Sequence, residues 1–100
     1  MPLCLLFTPS FYRSLKHFDP QQQKIIALGI EALKVYFASG NALSEAHKVT
    51  PRFFYKKLQH DFHEAGVEGK LRILLRKDGL KRFALIAGNH DQVKKFLAHS

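Results

Sequence analysis

One hundred residues with 46% apolar content suffice for one modest core and are too apolar for a wholly disordered chain. The formal charge of +8 at pH 7 is uneven: from Pro51 onward eleven Lys and Arg stand against five Asp and Glu, and before it five stand against three. That balance points to an anionic partner, whether nucleic acid, membrane surface or acidic protein, although solvated surface cations explain the same letters.

The chain opens with an apolar run, Leu3 to Phe7, that suits a buried strand. It holds Cys4, the sole cysteine, which excludes an internal disulfide framework or multi-Cys metal site and fits a reducing compartment. The start MPLCLLFT has no basic leader and is too short for a signal peptide, and no apolar run approaches transmembrane length. The reading is a soluble cytoplasmic protein with no membrane partner. Thr8-Pro9 is a helix start, and Phe11, Leu15 and Phe18 at helical spacing predict a helix over 9–18. Asp19, Pro20 and Gln22 form a second start with a capping box. Ile26, Ile30, Leu33 and Phe37 make its apolar stripe as far as about Ala38, where Ser39-Gly40 stops it.

Residues 41–50 show no period and read as a loop. Arg52 to Leu58 fits a helical turn or the run-in to a strand. Three strands follow. The first is Phe62 to Val67, weakened by Gly66. In Lys70 to Arg76 the pattern alternates, with Leu71, Ile73 and Leu75 on one face and Lys70, Arg72, Leu74 and Arg76 on the other. Leu80 to Ala87 alternates less cleanly, with Arg82, Ala84 and Ile86 opposed to Lys81, Phe83, Leu85 and Ala87. Gly69-Lys70 and Asp78-Gly79 mark the turns. Asn89 caps a last helix, with Gln92 three residues on and Val93, Phe96 and Leu97 as its buried side. The fold class is α+β: a small, mainly antiparallel sheet in the order strand-helix-helix-strand-strand-strand-helix, with helices over one face and cations on the other. One domain spans 1–100.

The run G-K-L-R-I-L-L-R-K-D-G from Gly69, the closing A-G-N-H-D-Q-V-K-K-F-L from Ala87 and the early S-F-Y-R-S-L-K from Ser10 together resemble the RelE/ParE superfamily of type II toxins, over roughly Phe11 to Leu97. The resemblance implies a toxin neutralised by a cognate antitoxin protein. RelE-like members cut messenger RNA on the ribosome; ParE-like members inhibit DNA gyrase and have no chemistry of their own. An inactive basic module that binds RNA or an antitoxin is a third reading. Arg72 falls on the arginine of the family's central strand, and His90 falls where members carry a Tyr or His before the last helix. The chain departs from the pattern at Ala65, where many members have arginine.

RNA cleavage needs a base for the 2′-OH, a cation for the phosphate and an acid for the leaving oxygen. Arg72 and His90 are the catalytic candidates, since a guanidinium matches phosphate oxygens and imidazole titrates near neutral pH. Lys70, Arg76, Lys81 and Arg82 are the RNA-binding candidates, and His60, Asp61 and His63 are candidates for acid or base support. Asn89-His90-Asp91-Gln92 is equally a plain helix start. Glu64 belongs to the strand face opposite His63, so one small site cannot use both. HDFH lacks a third ligand of clear spacing, so neither metal nor cofactor is expected. Arg52 to Lys57 interleaves cations with aromatics and suits base stacking or a buried aromatic patch.

Overall fold

The computed structural model describes residues 3–99. Met1 and Pro2, part of the start read as leaderless, and Ser100 lie outside the described residues. The elements run β1 (Cys4–Phe7), α1 (Pro9–Leu15), α2 (Pro20–Ala38), α3 (Leu43–His47), β2 (Phe54–Lys57), β3 (Phe62–Gly66), β4 (Arg72–Asp78), β5 (Lys81–Gly88) and α4 (His90–Ala98). The strands form one sheet in the order β1-β5-β4-β3-β2, with β1 parallel to β5 and every other pair antiparallel. None of the described helices is long and apolar enough to cross a membrane.

The helix starts are those the sequence encodes. The Thr8 side chain accepts from Phe11 N ahead of Pro9. Asp19 with Gln22, and Asn89 with Gln92, close capping boxes in which side chain and backbone satisfy each other's donors. Ile26, Ala32, Leu33 and Phe37 of α2 are buried with Phe11 of α1 against Ala65, Ile73, Leu75 and Ala84 of the sheet. The β4–β5 hairpin turns at Gly79-Leu80, where Gly79 has φ +60°, the left-handed value that favours glycine.

Two elements correct the sequence reading. Residues 43–47 of the supposed loop form α3, whose Ala46 is buried, although Ala42 at its start gives no side-chain cap. Phe54–Lys57 is a fourth meander strand, paired with β3. Its run of aromatics hides the strand period because Phe53, just outside the strand, is also buried in the core.

The third correction is a bulge in β5. Leu74 pairs with Ile86 but Leu75 with Ala84, so Leu85 is an extra residue. Strict alternation therefore fails: Ile86 stands opposite Leu74, and Ala87 returns to the main core with Ala84. The start of α1 supplies the partners. Thr8 Oγ1 donates to the Ala84 carbonyl at 2.9 Å, Ser10 Oγ donates to the Leu85 carbonyl at 2.6 Å, and Ser14 Oγ accepts from Ala87 N at 2.9 Å.

The second face is not a bare cationic surface. Here α4 rests on β4 and β5, and Leu74 and Val93 are buried outside the main cluster. The helices α1 and α2 thus cover one face, and α4 covers part of the other.

Candidate functional site

The register places four residues in one row across the sheet: Phe54, Gly66, Arg72 and Gly88. Glycine on both sides of Arg72 leaves room that neighbours fill. A Cβ at residue 66 would lie 1.8 Å from Phe54 Cε2, and a Cβ at residue 88 would lie 2.8 Å from Gln92 Oε1. The Phe54 ring thus lies over the glycine beside Arg72, and the first turn of α4 closes against Gly88. Because β5 ends level with Arg72, the next residues, Asn89 and His90, meet it. Lys70, Arg72, Asn89, His90 and Asp91 line one cleft of about 380 Å³. The sequence singled out Arg72, Lys70 and His90, and all three lie in it. His90 is exposed at the first position of α4, with Asn89 rather than His90 as the cap.

Arg72 is held on every side but one. Its Nε lies 3.0 Å from Glu64 Oε1. Nη1 donates to the carbonyls of Gly69 at 3.1 Å and Leu71 at 2.9 Å. The guanidinium carbon sits 4.9 Å from the centre of the Phe54 ring, within cation–π range. Nη2 has no partner among the described residues. Glu64 is only 2% exposed. At 3.0 Å it has charge complementarity with Arg72, but Oε1 has no aligned hydrogen-bond donor among the described residues.

The structure superposes on a chain of the RelB-RelE antitoxin-toxin complex from Methanococcus jannaschii with a TM-score of 0.62 and 22% identity, covering 91% of this chain and 96% of that one. It also superposes on a chain of the toxin-antitoxin complex RelBE2 from Mycobacterium tuberculosis with a TM-score of 0.54 and 18% identity, covering 90% and 93%. The chain has a RelE-like fold. By sequence it matches no family model and no curated protein.

The RelE-like fold separates the other candidates from the cleft. Arg76 stands four residues from Arg72, about 14 Å along β4 at roughly 3.4 Å per residue, between Phe62 and Phe83, with its guanidinium 4.9 Å from the Phe83 ring centre. Lys81 is exposed beside the hairpin at the far end of the sheet. Arg82 is 8% exposed, and it lies on the face covered by α1 and α2. Its Nη1 donates to the carbonyls of Gly79 and Lys81 at 2.9 and 3.0 Å. His60 and Asp61 occupy the β2–β3 turn, at the end of β3 away from Gly66 and Arg72. His63 faces the helices, where Nδ1 lies 2.8 Å from Tyr55 Oη. Burial, then the charge of Arg82, lowers the His63 pKa; burial raises that of Tyr55 to about 12.

Four residues of the site's frame escaped sequence reasoning: Glu64 as the partner of Arg72, Phe54 as its cover, and the two glycines. The signal was present in part. Alternation puts Glu64 on the face of Arg72 once the β3–β4 register is known, and glycine inside a strand marks close approach.

Proposed function

We propose that this chain is the toxin of a type II toxin–antitoxin pair and cleaves messenger RNA on the ribosome. The observation that carries the reading is the meeting of Arg72, Lys70 and His90 in one cleft of a RelE-like fold. Cleavage is an attack of the ribose 2′-oxygen on the adjacent phosphorus, with the 2′-OH proton passing to solvent water. The 5′-oxygen leaves, and a 2′,3′-cyclic phosphate remains. Charge accumulates on the phosphate oxygens as the new bond forms. Arg72 Nη2 and Lys70 Nζ are the donors that meet it. His90 serves at the leaving group, where protonated imidazole gives its proton to the 5′-oxygen. A cognate antitoxin, the class of partner present in both similar complexes, neutralises the protein.

Single-turnover cleavage on programmed ribosomes, with primer extension on cellular mRNA after induction, tests the reading. Cleavage lost in His90→Gln supports it. Intact mRNA together with DNA damage on induction moves the protein to the gyrase-inhibitor reading. Binding to ribosomes should weaken as salt rises, because phosphate contacts release counterions.

A further inference from the structure

Glu64 is a buried carboxylate on a face that alternation reads as cationic. Its cross-strand neighbours are Lys56 and Leu74, yet among the described residues its ion pair is with Arg72 rather than with Lys56. What it touches is Arg72. A guanidinium offers two forks for an anion, one from Nε with an Nη and one from the Nη pair. Here the Glu64 carboxylate sits 3.0 Å from Nε as an ion pair without an aligned hydrogen bond, and the carbonyls of Gly69 and Leu71 accept from Nη1. Each fork therefore has one nitrogen already faced by a protein oxygen, a paired carboxylate at Nε and carbonyls at Nη1.

We propose that Glu64 is a positioning residue for Arg72 and a built-in limit on its grip on phosphate. It fixes the guanidinium so that the cleft receives the single nitrogen Nη2, and it cancels the arginine's charge in the resting protein. The inference rests on reading the cleft as a phosphate site. Its consequence is a ground state that binds a phosphodiester weakly, with Lys70 supplying the uncompensated charge. The two N–H groups of Nη2 remain for the charge that develops during reaction. Binding energy withheld from the ground state and delivered in the transition state raises turnover rather than affinity alone. The pair also gives the cleft a preference for a phosphate approached end-on by Arg72 over one gripped by two prongs.

Three forms of the full chain separate this from a plain packing role: wild type, Glu64→Gln, and Glu64→Gln/Arg72→Gln. Gln keeps an oxygen for Nε and removes the charge. The probe is inorganic phosphate, titrated at fixed ionic strength and followed by the amide shifts of Arg72 and His90. Glu64→Gln should bind phosphate roughly 2- to 5-fold more tightly than wild type, the range of one partly exposed charge interaction. The double variant should return to the wild-type value or below. With a single-stranded oligonucleotide carrying 2′-deoxyribose throughout, the slope of log K against log salt should steepen by about 0.7 in Glu64→Gln, as for one added phosphate contact.

Equal or weaker phosphate binding by Glu64→Gln overturns the proposal. Should that variant fail to fold, wild type answers instead: phosphate should shift the Nη resonances of Arg72 and leave Nε–H, on the side faced by Glu64, nearly unmoved, and an Nε–H that shifts as far as Nη overturns it. None of these measurements requires cleavage. An inactive protein that keeps this order of phosphate affinities loses the nuclease reading and retains the positioning role.

Discussion

The Phe54 ring occupies the space that a side chain at residue 66 would need: a Cβ there would fall 1.8 Å from Cε2 and 2.3 Å from Cδ2 and Cζ. The same ring lies beside the Arg72 guanidinium. The glycine inside β3 is therefore a condition for covering Arg72, and its absence of side chain is repaired by the aromatic across the strand.

Gly66→Ala is expected to push the ring away and destabilise the fold by roughly 1–3 kcal/mol, the usual cost of overpacking. Urea unfolding measures it. The double variant Phe54→Ala/Gly66→Ala should lose less than the sum of the two single changes, because removing the ring removes the clash. Additive losses would mean the ring and the glycine are independent.

Arg72→Ala is not a clean test of chemistry. It strands Glu64, a buried carboxylate, without its cation. Breaking a fully buried pair costs roughly 3–5 kcal/mol. The loss here should be smaller, because the Arg72 side chain is 19% exposed. Arg72→Ala/Glu64→Ala should be more stable than Arg72→Ala alone in thermal melts. A double variant that melts lower than the single one would show that the pair contributes nothing beyond packing.

Acid should weaken the fold through His63. Its folded-state pKa lies below the ordinary 6.5 because of burial and the nearby Arg82, with Lys77 and Lys57 acting the same way and Asp61 opposing them. The unfolded chain then binds a proton that the folded chain refuses. The stability tied to this group is whole above about pH 6.5 and falls as pH drops below it, until the lower folded value is passed. Melting temperature followed from pH 7.5 to 5 should decline, and His63→Phe should flatten part of that decline. An unchanged slope in His63→Phe would assign the acid sensitivity to other groups.

Much of this was legible in the sequence where a local rule decides. Caps name their partners three residues on, so Asp19 with Gln22 and Asn89 with Gln92 fix two helix starts. The Asp78-Gly79 signal locates a hairpin, and alternation puts Arg72 and Leu74 back to back with Ile73 and Leu75. What failed depends on distant partners. The Leu85 bulge is held by hydroxyls from α1, more than seventy residues away, and it reverses the facing of Ile86 and Ala87. Arg82 reads as one more surface cation, yet the same register carries it under the helices. At the cleft, Arg72 and His90 come from resemblance and spacing, whereas Glu64 emerges only from the pairing of β3 with β4.

The helix start at the cleft allows function and stability to be separated residue by residue. Asn89 accepts from Gln92 N at 2.9 Å, and Gln92 Oε1 accepts from Asn89 N at 2.7 Å. His90, one residue on, is exposed and takes no part in that box. Asn89→Ala should therefore cost about 0.5–2 kcal/mol of stability as a lost cap. His90→Gln should leave the melting temperature near that of wild type. If His90 transfers a proton during cleavage, His90→Gln should slow single-turnover cleavage by roughly 10²- to 10⁴-fold. It should also remove whichever limb of the pH–rate profile belongs to the imidazole, a change that a structural role would not produce. The comparison is made on programmed ribosomes with melts run on the same preparations. A well-folded His90→Gln protein that cleaves at the wild-type rate, with its pH profile intact, would take His90 out of the mechanism and leave it as the first residue of α4.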